Sequence, residues 1–154
     1  MTVYILSFLI GVIAGLRAMI APAAASWAAQ SGALDLSGSW LAFMGARFTP
    51  WIFSILAAGE LITDQLPQTP SRKVPVQFGT RVLMGGLAGA TIGTSAGSWI
   101  AGAVLGAIGA TVGTLAGAKA RAQLAARFGN DRPAALIEDA IAIVGAVLIV
   151  VATR

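Results

Sequence analysis

The stretch 82–118, VLMGGLAGATIGTSAGSWIAGAVLGAIGATVGTLAGA, carries no charged side chain between Arg81 and Lys119 and returns to glycine about every fourth residue. Gly85, Gly89, Gly93 and Gly97 form one series; Gly102, Gly106, Gly109, Gly113 and Gly117 form a second. Residues four apart share one face of a helix, so each series is a stripe without side chains. In lipid, stripes of small residues let helix backbones approach closely and gain dispersion contact. The reading is two helices, 82–95 and 100–118, folded into a tight hairpin at Gly97-Ser98-Trp99, with the second helix continuing toward Arg127. A homodimer through the same stripes is the other use they invite.

The whole chain agrees with this membrane reading. Of its 154 residues 57% are hydrophobic and 10% charged, and the mean hydropathy is +0.84. A soluble domain carries about 25% charged residues, so this chain lacks the material for a water-facing surface. That argues against a water-soluble enzyme and against disorder. The 19 glycines follow no Gly-X-Y period. Cysteine and histidine are both missing, which removes thiolate, imidazole and disulfide chemistry. Expected, therefore, are a single all-α transmembrane domain over 1–154, no enzyme activity, no cofactor and no metal site.

Outward from the glycine hairpin, three more apolar segments emerge: 3–29, interrupted by Arg17 and Pro22; 49–66, closed by Pro67; and 133–152. A straight span needs roughly 17–25 residues, and five spans result. The first lacks a basic n-region and has Arg17 inside its apolar run, so it reads as a retained helix rather than a signal peptide. Net charge is +4. The basic residues gather at 67–81 (Arg72, Lys73, Arg81) and 119–133 (Lys119, Arg121, Arg127, Arg132), whereas the loop 30–48 has Arg47 against Asp35. With five spans, the positive-inside rule places the N-terminus in the cytoplasm and the C-terminus outside. The basic residues thus speak for orientation in a bilayer and not for nucleic acid.

Five charges fall inside apolar segments: Arg17, Glu60, Asp64, Glu138 and Asp139. Each costs roughly 2.5–3.5 kcal/mol at the centre of a span unless it pairs, meets water or protonates. Glu60 and Asp64 lie four apart on one helical face. The four carboxylates are expected to converge on one inner cavity that binds a cation or carries protons. Arg81, Lys119 and Arg121 are the expected counter-charges, and Arg17 is expected nearer the outer side, snorkelling or capping a carboxylate. An internal repeat is also suggested. Residues 12–18 (VIAGLRA) resemble 114–120 (TLAGAKA), and Glu60 is echoed by Glu138 one helix later. Three spans would separate the copies, making an inverted pair of the kind seen in transporters.

Gly15-Leu16-Arg17-Ala18 with a following proline, Glu60 and Asp64 before Leu66-Pro67, Thr69-Pro70-Ser71-Arg72, and Leu136-Ile137-Glu138-Asp139 together resemble a family of small bacterial integral-membrane proteins. It is catalogued as a domain of unknown function (number 4126), and the similarity covers nearly the whole chain. Gln65 stands where that family's pattern has lysine. The resemblance implies a bacterial inner-membrane location and supplies no activity. The expected function is a small transporter or channel for a cation, or coupled to protons, working through the buried carboxylates, foremost Glu60 and Glu138, with Arg17 and Lys119 as gating counter-charges. The alternative is an accessory membrane protein that packs with itself or a partner through its glycine helices.

Overall fold

The computed structural model describes residues 1–66 and 74–154; the expected basic loop with Arg72 and Lys73 lies outside the described residues. Every regular element among those described is helical: α1 (Thr2–Leu16), α2 (Ile20–Gln30), a 3-10 helix (Trp40–Gly45), α3 (Thr49–Thr63), α4 (Pro75–Thr94), α5 (Trp99–Phe128) and α6 (Asp131–Ala152). Local chemistry sets the boundaries. Pro50 and Pro75 open α3 and α4 from the first turn, where a missing N–H costs nothing. Gly129, at φ 65°, ends α5, and the side chain of Asn130 accepts from the Arg132 N–H to cap α6. Gly97 adopts φ 70° in the turn between α4 and α5, so it serves the reversal and is not a rung of the stripe.

The glycine stripes close on one another at the centre, as expected for α4 and α5. A Cβ at Gly106 would overlap the Gly85 carbonyl oxygen, and one at Gly102 the Gly89 carbonyl. A third helix joins them. Gly109 and Gly113 face the backbone of Phe8 and Val12 on α1, while Gly11 meets Gly106. Gly117 is also buried. The stripe glycines from Gly85 to Gly113, apart from the turn residue Gly97, are thus packed against neighbours within one chain.

The pairing also gives directions. Gly11 beside Gly106 and Gly15 beside Ala110 and Thr114 make α1 and α5 parallel neighbours. Ser7 donating to the Gly89 carbonyl and Arg81 donating to those of Gly15 and Leu16 make α4 antiparallel to α1. The segments 12–18 and 114–120 therefore run side by side in the same direction, and the inverted repeat is not what the fold contains.

The largest departure from expectation lies in the first segment. It does not cross as one helix but reverses at Arg17-Ala18-Met19, and α2 runs back beside α3 and α4. At its start it meets Glu60, and Trp27 near its end packs edge-on against Trp51, with ring centres 5.2 Å apart. Ala21, Ala25 and Ala28 share a core with Ala88, Ala90 and Ile92 from the far half of α4. The loop beyond it returns Trp40 to Trp99 at the foot of α5, 5.4 Å away. One added reversal makes six α-helices, among the described residues, of five expected segments. It also brings both termini to one end of the bundle, together with the four tryptophans and the 31–48 loop. The expectation of termini on opposite sides is corrected accordingly. The far end carries the arm in which α5 and α6 extend past the bundle.

Among the described residues two helices, α5 and α6, are long and apolar enough to cross a membrane, and α1 and α3 are apolar but shorter. Large aliphatic side chains point outward around the bundle, including Ile55, Leu83, Val104, Leu136 and Leu148, while the interior mixes glycine and alanine with Ile10, Leu41, Met44 and Ile92 and also holds Arg17 and Arg81. A soluble monomer rarely exposes apolar patches of this extent.

Candidate functional site

The reversal at 17–19 leaves two helix ends open inside the bundle, where unpaired backbone groups are costly. Charged side chains from other helices close both. The carboxylate of Glu60 accepts from the N–H groups of Ala18 and Met19, each at 2.8 Å, and so caps the positive end of α2. At the negative end of α1, Nη1 of Arg81 donates to the carbonyls of Gly15 at 3.0 Å and Leu16 at 2.7 Å. The Thr114 hydroxyl lies 3.3 Å from the same Gly15 carbonyl. Pro22, in the first turn of α2, needs no N–H partner there.

Arg17 projects from the tip with its side chain wholly buried; of the two expected roles, snorkelling outward or capping a carboxylate, the structure has the contact with carboxylates and not the snorkelling. Arg17 pairs with Asp64 through Nη1 and donates from Nε to Asp139 Oδ1 at 2.6 Å. Gln65 donates to the other Asp139 oxygen at 3.3 Å. Nη2 of Arg81 lies 3.6 Å from Glu60 and 3.9 Å from Asp64, joining the two halves into one cluster. Among the described side chains, three carboxylates thus face two guanidinium groups.

The remaining expected residues lie apart. Glu138, although next to Asp139 in sequence and also buried, is turned toward Arg121, whose Nη1 lies 3.4 Å from it. Arg121 also holds Asp131 through two bonds of 2.9 and 2.6 Å. A small cavity of about 70 Å³ between Leu16, Arg121 and Glu138 does not reach Glu60 or Asp64. The expected convergence therefore splits: Glu60, Asp64 and Asp139 meet, while Glu138 belongs to a second ion cluster on the arm. Lys119 is exposed on the arm.

From the main cluster a lateral cleft of about 610 Å³ opens between α3 and α6, walled by Leu61, Ile62 and Leu136, with Gln65 and Asp139 on its inner side and Arg132 among its lining. No group of carboxylates with metal-binding geometry occurs among the described residues. Sequence reasoning missed the backbone roles of Glu60 and Arg81 because it read 3–29 as one span. The signal was present: Pro22 belongs near a helix start, just after a charge that a straight span would have left without partners.

No protein family, curated protein or solved structure matches the chain.

Proposed function

We propose that this is a small multi-pass membrane transporter or channel that passes a proton or small cation through the cluster at the α1–α2 tip. One observation carries the reading: in an apolar bundle, the described side chains set three carboxylates around two guanidinium groups where the first segment is broken into two short helices. Burying an unbalanced charge is strongly unfavourable, and a proton or monovalent cation brought to this cluster restores the balance. Broken helices whose ends converge on ionisable groups are also how many transporters build their sites.

Asp64 and Asp139 are the working carboxylates in this reading, because they meet only side chains among their assigned partners. Glu60 and Arg81 hold the hairpin tip. Access from one end runs through the α3–α6 cleft. The other end is closed by the 31–48 loop, whose Leu34, Leu36, Leu41 and Met44 are buried. The arm, with Lys119, Arg121, Arg127 and Arg132, faces the cytoplasm by the positive-inside rule, which puts both termini outside a bacterial inner membrane.

Reconstitution in liposomes with imposed H⁺, Na⁺ or K⁺ gradients tests this. Wild-type protein is expected to carry flux above empty vesicles, and Asp64→Asn with Asp139→Asn to reduce it at least tenfold, while Arg121→Gln retains it. Wild-type vesicles no leakier than empty ones under all three gradients would reject the transport reading. The tight ligation of Glu60 and Arg81 to backbone supports a second reading, a static accessory bundle. Its partner would have to meet the outer aliphatic face, since the glycine stripes are covered.

A further inference from the structure

The α3–α6 cleft combines features that the ion site does not require. Its walls, Leu61, Ile62 and Leu136, are aliphatic; its inner side carries Gln65 and the Asp139 carboxylate; and Arg132 stands exposed among its lining residues. Arg132 and Asp139 lie seven residues apart on α6. That spacing is two turns, so both stand near one helical face about 10 Å apart along the axis. Arg132 belongs to the cytoplasmic arm, and Asp139 lies deeper in the bundle. A ligand matching this arrangement has a hydrocarbon tail, an anionic group and, next to it, an ammonium group that reaches inward.

On the reading that the bundle sits in a bilayer, we propose that this cleft is a lateral site for one zwitterionic phospholipid of the phosphoethanolamine class. Its acyl chain lies along Leu61, Ile62 and Leu136, its phosphate pairs with Arg132, and its ammonium reaches the Asp139 oxygen to which Gln65 donates. Arg132 alone would favour any anionic lipid by simple attraction. The carboxylate on the inner side opposes a headgroup that carries only negative charge and favours one with N–H donors. A trimethylated headgroup lacks those donors and is bulkier. The occupied cleft brings a third cation to the cluster, where carboxylates outnumber guanidinium groups among the described side chains, so lipid occupancy and ion occupancy compete.

Native mass spectrometry of the detergent-solubilised protein titrated with phosphatidylethanolamine, phosphatidylcholine and phosphatidylglycerol tests the site. Phosphatidylethanolamine is expected to be retained at one copy per chain and at least fivefold more than the other two. Arg132→Gln and Leu136→Trp, both at exposed positions, should each cut retention at least fivefold with the helical circular dichroism unchanged. Arg127→Gln, on the same arm but outside the cleft, should leave it unaltered. Equal or better retention of phosphatidylglycerol, or equal loss in Arg127→Gln, would reduce the effect to general attraction between basic residues and lipid and overturn the proposal. Membrane fractionation of the wild-type protein is independent of these arms: recovery in the soluble fraction would sink the bilayer reading itself, whereas membrane recovery with no selective lipid sinks only the site.

Discussion

Two ion clusters lie close together in this protein, and their surroundings make them different objects. At the hairpin tip, Arg17 and Arg81 are all but inaccessible and hold three carboxylates. On the arm, Arg121 bridges Glu138 and Asp131, and the Asp131 side chain is 61% exposed. In the first cluster, removing one partner strands a charge in a medium that cannot solvate it. In the second, water replaces what is removed at the exposed Asp131, and only Glu138 is buried. The same residue types therefore decide the architecture in one place and little more than local order in the other.

The sharpest way to break the contrast is Arg17→Gln. It leaves Asp64 and Asp139 facing each other without their shared cation, a loss expected to cost about 3–5 kcal/mol. Thermal unfolding in detergent should show a large fall in Tm or no folded protein. A fall no greater than that of Arg121→Gln would mean that water reaches the tip freely. Arg121→Gln itself is expected to cost about 0–1 kcal/mol for its exposed Asp131 bond, with some addition from the more buried Glu138, and raised salt should shrink the difference from wild type.

The glycine contacts give an intermediate test. Gly106→Ala drives a methyl group into the Gly85 carbonyl and should destabilise by roughly 1–3 kcal/mol through overpacking. Gly59→Ala, where a Cβ meets open space on α3, should stabilise by up to about 1 kcal/mol through helix propensity. Equal Tm values for the two variants would contradict the three-helix core. The smallest effect is expected at Asp35 in the 31–48 loop. The Ser37 hydroxyl and N–H both donate to its carboxylate and hold its pKa below the ordinary value. A group with a depressed folded pKa stabilises above its unfolded pKa and loses that contribution as pH falls through the folded one. Asp35→Asn should therefore flatten, slightly, the acid limb of a Tm–pH curve measured against wild type.

Much of the fold was legible because it rests on local pattern. The glycine period placed α4 against α5, Gly97 marked their turn, and the continuation of α5 toward Arg127 followed from unbroken helix formers. The buried charges were legible too, since their cost in an apolar segment depends on little else. What could not be read was who partners whom. Gly109 and Gly113 face α1 and not α4, because α1 lies parallel to α5, and no pattern within 100–118 reports a helix from the far end of the chain. Glu138 and Asp139, adjacent in sequence, diverge because neighbouring residues on a helix point about 100° apart. That angle sends one to the arm and the other to the tip.

Sequence alone determined that this chain is greasy, helical, glycine-packed and burdened with charges that must find partners, because composition and helical period act within a few residues. Pro22 after Arg17 was a signal in the sequence, but tertiary structure decided that the first segment turns back there. Two helix ends inside an apolar bundle are tolerable only where Glu60 and Arg81 arrive from α3 and α4 to satisfy them, and that meeting exists only once the chain has folded.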